Sequence, residues 1–290
     1  MRSCALLVLI FTFVQHSCET ILDLETPEYE DQLVIGALLN NQDPYQEIIL
    51  SITTGIDRNP TFINMTDSKV WLQYPDGREI QFMNANIEPS DKLKNFIINS
   101  LLDLKEGETY ELFATKPGYD TLRGMTVLPA HIPLKEYNYT YDGGISLRGE
   151  KRSAVNILFD DPPNQKNFYR VGILVNTSEQ GVEYKTYTSS LDPSVTESGD
   201  FDYALIEDST FNGQSKSISL QFHKFPQNSI ISLYVQWNVI TEYQYNYDKT
   251  LRQYRISIDN PFSIPAQLHS GIENGIGFFG IENRVTYKVK

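Results

Sequence analysis

From Gln32 to Leu128 short apolar runs alternate with clusters of turn residues, and this rhythm limits the fold more than any other feature of the chain. Runs at Gln32–Leu39, Glu47–Thr53, Lys69–Tyr74, Glu79–Met83, Asn95–Leu101, Thr109–Thr115 and Gly124–Leu128 are too short for ordinary helices and are rich in Ile, Val, Phe and Tyr. They read as strands. Between them stand the turn cluster Asn40-Asn41-Gln42-Asp43-Pro44, the hairpin signal Pro75-Asp76-Gly77 and the turn Lys105-Glu106-Gly107-Glu108. About seven strands at this spacing describe an all-β, Ig-like Greek-key sandwich over residues 31–129. Two details stay open at this level. Ser90–Leu101 reads either as strand or as a short helix capped by Ser90, because its Phe96-Ile97-Ile98 run suits both. Leu104-x-x-Gly107-x-x-Tyr110 has the spacing of a tyrosine corner, in which the hydroxyl meets backbone upstream; the alternative is a Tyr that simply sits in a strand.

Pro129 and Pro133, around His131, mark a boundary. Beyond it a second β-sandwich-like domain is expected over 134–290, with strands at Tyr137–Tyr141, Ser153–Phe159, Phe168–Val175, Ser217–His223 and Ile231–Trp237. Residues 177–215 are rich in Ser, Thr, Asp and Gly and read as long loops. One helix is expected, near 241–254: Thr241 and Gln244 form a capping box, and Tyr243, Tyr247, Leu251 and Tyr254 recur at helical spacing. Such a stripe belongs in a core more often than on a ligand platform. Gly275–Gly280 and Val285–Val289 close the sheet, and glycines beside Phe278 and Phe279 imply a bulge or a close backbone approach.

The amino terminus sets the compartment. Arg2 precedes Ala5–Val14, an apolar run too short to cross a bilayer and suited to a signal-peptide core over residues 1–17. Cys18 stands at the cleavage point. Gln15 and His16 depart from the usual lipobox, and only Ser17 conforms. Cys4 leaves with the signal, so the mature chain keeps one thiol, at its first residue, and no internal disulfide can help hold the fold. Cys18 is therefore the expected site of a thioether-linked diacylglyceryl group. Each buried methylene contributes about 0.8 kcal/mol, so two or three chains anchor a protein stably to a membrane without a spanning helix. Residues 18–30 then form an acidic tether. With 24 Lys and Arg against 37 Asp and Glu, a net charge of −13, the chain repels nucleic acid.

Nothing in the chain reads as catalytic, and no cofactor is expected. His131, His223 and His269 are scattered, with no zinc-ligand spacing. Nucleophile-elbow, P-loop and dinucleotide fingerprints are missing from the sequence. Asp160-Asp161 could serve calcium or acid chemistry, but two following prolines favour a rigid turn. Phe262, Phe278 and Phe279, with little charge around them, are candidate partner contacts; the other reading is that they fill the second core.

Several segments carry a resemblance. C-E-T-I-L-D follows the signal, a Gly-Glu-Thr-Tyr turn lies at 107–110, and Phe-Asp-Asp-Pro-Pro…Asn-Phe-Tyr-Arg spans 159–170. Asn-Pro-Phe-Ser-Ile-Pro…Asn-Gly-Ile-Gly-Phe-Phe-Gly spans 260–280. Together these resemble the Bacteroidota outer-membrane lipoproteins of the family known only as domain of unknown function 4249. The resemblance implies a neighbouring TonB-dependent outer-membrane transporter, and an export signal in which Glu19, Asp23 and Glu25 help route the lipidated chain to the cell surface. It also implies O-glycosylation at Thr121 and Ser209, which stand in Asp-Thr-Leu and Asp-Ser-Thr triplets. The expected function is that of a non-catalytic cell-envelope lipoprotein, a ligand-capture or lid-like accessory to such a transporter. The alternative is a free-standing adhesin or glycan-binding lipoprotein.

Overall fold

The structure is a computed structural model that describes residues 30–53, 65–85, 95–146, 148–178, 183–196, 202–258 and 267–290. Gln32–Lys290 form one compact unit. The first half supplies β1 (Leu33–Asn40), β2 (Tyr45–Ile52), β3 (Lys69–Gln73), β4 (Glu79–Asn84), β5 (Phe96–Asn99), β6 (Thr109–Thr115) and β7 (Leu122–Val127). Every apolar run expected there is a strand, and β5 decides the open segment at 96–99 in favour of strand; Ser90 lies outside the described residues. Buried and partly buried residues alternate along β1 and β3, as one-sided burial of a pleated strand requires. The Lys105 N–H donates to the Tyr110 hydroxyl at 2.6 Å, so the tyrosine corner is formed.

The second half contains β8 (Leu134–Ile145), β9 (Lys151–Asp160), β10 (Phe168–Thr177), β11 (Glu183–Thr186), β12 (Thr188–Ser189), β13 (Val195–Thr196) and β14 (Tyr203–Glu207). These are followed by β15 (Ser215–Phe222), β16 (Ile230–Ile240), helix α1 (Glu242–Ile258), β17 (Ile272–Glu273) and β18 (Ile276–Lys288). The expectation of loops over 177–215 needs correction. That stretch holds four short strands, and the Tyr203–Ile206 part of β14 is buried on both faces, so it shows no alternation for a pattern to catch. Two large cores result, with a smaller apolar cluster of Phe168, Tyr203, Leu205, Ile240 and Tyr245 at α1. One gathers residues from β1–β7. The other lies between the sheet β12-β15-β9-β8 and the strands β14, β10 and β16, around Trp237, Phe159 and Tyr169. Each core sits between β-layers, an all-β sandwich architecture.

β18 belongs to both halves. Its first part pairs in parallel with β1, from Val34↔Ile276 to Asn40↔Glu282. Its second part runs antiparallel to β16, from Val239↔Asn283 to Tyr234↔Lys288. Through it a single 14-stranded sheet crosses the molecule, thirteen strands in one hydrogen-bonded path and β11 branching from β10. The crossing requires a glycine. Gly277 has φ +135°, and a Cβ there would stand 1.8 Å from the Ile35 carbonyl oxygen. Phe279 and Ile281, expected with the second domain, lie in the first core instead. Phe278 and Phe279 are both buried, Phe279 in the first core and Phe278 stacked against Tyr243 and Tyr247. Phe262 lies outside the described residues.

Candidate functional site

Helix α1 inverts what its sequence suggests. Tyr243 and Tyr247 are only half-buried and Tyr254 is 40% exposed, whereas the buried positions are Gln244, Tyr245, Asp248 and Arg252. Gln244, Asp248 and Arg252 recur every four residues and so share one face. The helix thus turns a polar stripe inward, because the strands it covers carry charge. Arg170 stands in β10 among apolar neighbours, and Glu282 and Arg284 stand at the middle of β18. The cap explains part of the seating. Thr241 Oγ1 accepts from the Gln244 N–H at 3.2 Å, but the Gln244 side chain does not turn back to complete the box; its Nε2 donates to Glu282 Oε1 at 3.0 Å.

Glu282 is the hub. Its Oε1 accepts from Arg170 Nη1 and its Oε2 from Arg284 Nη2, each at 2.6 Å, and its side chain is fully buried. Arg284 continues outward to Asn238 Oδ1 at 3.0 Å and to the Asp43 carboxylate. Arg170 Nε faces Asp248 Oδ2 at 3.5 Å, and its guanidinium lies 3.7 Å above the Tyr203 ring. Asp248 Oδ1 accepts from the Tyr203 hydroxyl at 2.9 Å. Arg252 donates to the carbonyls of Thr196 and Tyr203. Burial alone would push the Glu282 carboxyl up, but the charges of Arg170 and Arg284 outweigh it and hold the group down at about 2. At Asp248 the balance goes the other way: burial raises the carboxyl despite Arg170.

Above this network opens a cleft of about 960 Å³. Both halves of the chain wall it: Tyr45 and Gln46 from β2, Arg170 from β10, Tyr187 from the β11–β12 turn, and Asp248 from α1. Tyr247 stacks on Phe278 with ring centroids 4.2 Å apart and forms an aromatic wall. Four cations (Arg170, Lys185, Arg255, Arg284) face four anions (Asp43, Glu47, Asp202, Asp248), so the lining is balanced. Clefts of this size with aromatic walls and a few placed polar groups are the usual form of small-ligand sites.

Of the candidate site residues named from sequence, Phe278 lines the cleft and the other described ones lie elsewhere. Asp160 pairs with Lys135 and accepts from the Ser215 hydroxyl, while buried Asp161 accepts from the Tyr169 hydroxyl and from the Gly213 N–H at 2.9 Å. That is a rigid turn. Thr121 and Ser209 are exposed. Cys18, Glu19, Asp23 and Glu25 lie outside the described residues. Among the described residues no group of three His, Cys, Asp or Glu could hold a metal ion, and no helix is long and apolar enough to cross a membrane. Sequence reasoning missed Arg170, Asp248, Glu282 and Arg284. The signal that could have found them is charge inside strands otherwise written in apolar residues, together with the four-residue spacing of Gln244, Asp248 and Arg252.

Comparison with known proteins adds a family but no activity. No curated protein sequence matches the chain. Among solved structures, the chain is similar at 11% identity and a TM-score of 0.25 to the native conformation of E. coli alpha-2-macroglobulin, over 91% of this chain and 14% of that one. It is similar at 13% identity and a TM-score of 0.24 to the yeast delta-COP-I mu-homology domain, over 92% of this chain and 100% of that one. Likenesses this distant carry no functional argument. The family described as "Domain of unknown function (DUF4249)" matches residues 19–288, and the chain belongs to it.

Proposed function

We propose that the chain is a non-catalytic, lipid-anchored protein of the bacterial outer membrane that captures a ligand in the α1 cleft and delivers it to a TonB-dependent transporter. The observation that carries the reading is the cleft itself: about 960 Å³, walled by both halves of the chain and floored by side chains already committed to one another. Such a floor is preorganised for binding. A carboxylate held ionised between two arginines, as Glu282 is, gives and takes no proton near neutral pH. The sequence of the first eighteen residues supports the anchor, and an anchor raises the local concentration of even a weakly held partner.

Asp248 favours a second reading, that of a hydrolase, since a carboxyl raised by burial at the edge of a cleft is also how acid catalysts are built. Three experiments test these readings. Cys18→Ala should move the protein from the membrane to the soluble fraction, and lipidated wild type should recover a transporter under mild detergent; membrane retention of the variant, or a pull-down empty of transporter, overturns the corresponding half of the proposal. Turnover of a cleft-bound ligand that vanishes in Asp248→Asn with binding intact would favour the hydrolase.

A further inference from the structure

The cleft's lining also says what kind of molecule fits it. We infer that the ligand is a neutral, hydroxyl-rich chain molecule, an uncharged oligosaccharide, laid across Tyr45, Tyr187 and Tyr247 above the Arg170–Asp248 floor. The inference rests on reading the cleft as the ligand site and adds the chemical class.

Three observations lead there. The first is charge. The four cations and four anions of the lining cancel, and the central ones are already engaged: Arg170 with Asp248 and Glu282, Arg284 with Asp43 and Glu282, Lys185 with Asp202 at 3.8 Å. An ionic ligand would have to break one of these pairs and leave its partner uncompensated in a buried setting. A neutral ligand need not. The second is hydrogen-bonding capacity. A guanidinium has five N–H donors and a carboxylate about four lone-pair sites, so one ion pair uses only part of either. Arg170 Nε and Asp248 Oδ2 face each other at 3.5 Å without a hydrogen bond. Fixed donors and acceptors side by side match hydroxyl groups, each of which both donates and accepts. The third is the walls. Tyr187 is 60% exposed and Tyr45 46% exposed, while Tyr247 is backed by Phe278 in a near-parallel stack. Flat rings with a polar tip suit a ligand whose faces carry C–H groups and whose edges carry hydroxyls. The volume and open mouth admit several linked sugar rings rather than one.

The test is calorimetric titration of the full lipidated protein in a detergent without a sugar headgroup. The probes are pooled neutral hexasaccharides of glucose, mannose, xylose and galactose, with hexagalacturonate, hexalysine and hexaalanine as the charged and peptide arms. Tyr187→Ala and Tyr45→Ala serve as cleft variants, since both side chains are exposed enough to leave the fold alone. The expected result is saturable binding of at least one neutral pool, weakened about tenfold in Tyr187→Ala, with no saturable binding of the charged or peptide probes. Binding of hexagalacturonate, hexalysine or hexaalanine that weakens in the same variant would overturn the ligand class and leave the cleft standing. No binding by any probe, or binding indifferent to both variants, would overturn the cleft as the site as well.

Discussion

Ile281 and Glu282 are neighbours in β18, both wholly inaccessible to water, and they belong to different kinds of interior. Ile281 completes an apolar core assembled from β1–β7. Glu282 holds two arginines beneath α1. Apolar burial is non-directional and scales with area, so the first interior tolerates small changes of shape. Burying charge is costly unless every partner is in place, so the second depends on geometry. What the contrast teaches is that the polar interior holds only while every partner is in place, where hydrophobic packing would be more forgiving. It fixes the floor of the cleft.

The sharpest way to break this comparison is to remove the hub. Glu282→Ala removes the buried carboxylate shared by Arg170 and Arg284, leaving them only Asp248 and Asp43 as ionic partners, and should lower unfolding free energy by about 3–5 kcal/mol in urea titration. Ile281→Val, one residue away, should cost about 1 kcal/mol. Equal losses would erase the distinction between the two interiors.

Acid should act on one interior only. Glu282 is depressed from 4.5 to about 2 in the folded chain, so its contribution is fully present above the unfolded value and is lost as pH falls from there toward about 2. The loss through that window should be about 3 kcal/mol, read as the difference between wild type and Glu282→Gln in unfolding measured at several pH values. A difference that does not change with pH would mean the carboxylate is not held down by its arginines.

Smaller effects test the local devices that seat each region. Tyr110→Phe leaves the Lys105 N–H without its partner in the first sandwich and should cost about 1–2 kcal/mol. Thr241→Ala removes the cap of α1 and should cost about 1 kcal/mol, with faster amide exchange confined to the first turn of the helix. Exchange that speeds up throughout the second core instead would place the helix within that core's cooperative unit.

The same contrast explains what could be read from the chain beforehand. The strands around Ile35, Leu72 and Leu112 are one-sided, and alternation reveals one-sided burial directly. Tyr110 was readable because its partner lies a few residues away. Glu282, by contrast, meets residues 112 positions distant in Arg170 and 38 distant in Gln244, and no local pattern encodes such a meeting. The helix misled for a related reason. Its tyrosines have the spacing of a core stripe, yet Tyr243 and Tyr247 are only half-buried, with Tyr247 lining the cleft, while the residues that look solvent-facing turn inward to meet charge supplied by β10 and β18. β18 itself reads as two strands because its apolar first part and mixed second part serve different halves of the molecule.

The claim that the charged floor exists to hold a ligand is tested most directly by the native mass of the protein released from its own membranes in mild detergent, wild type beside Tyr187→Ala. A non-covalent adduct on the wild type that is absent from the variant is the predicted result. No adduct on either protein, or the same adduct on both, would contradict the account.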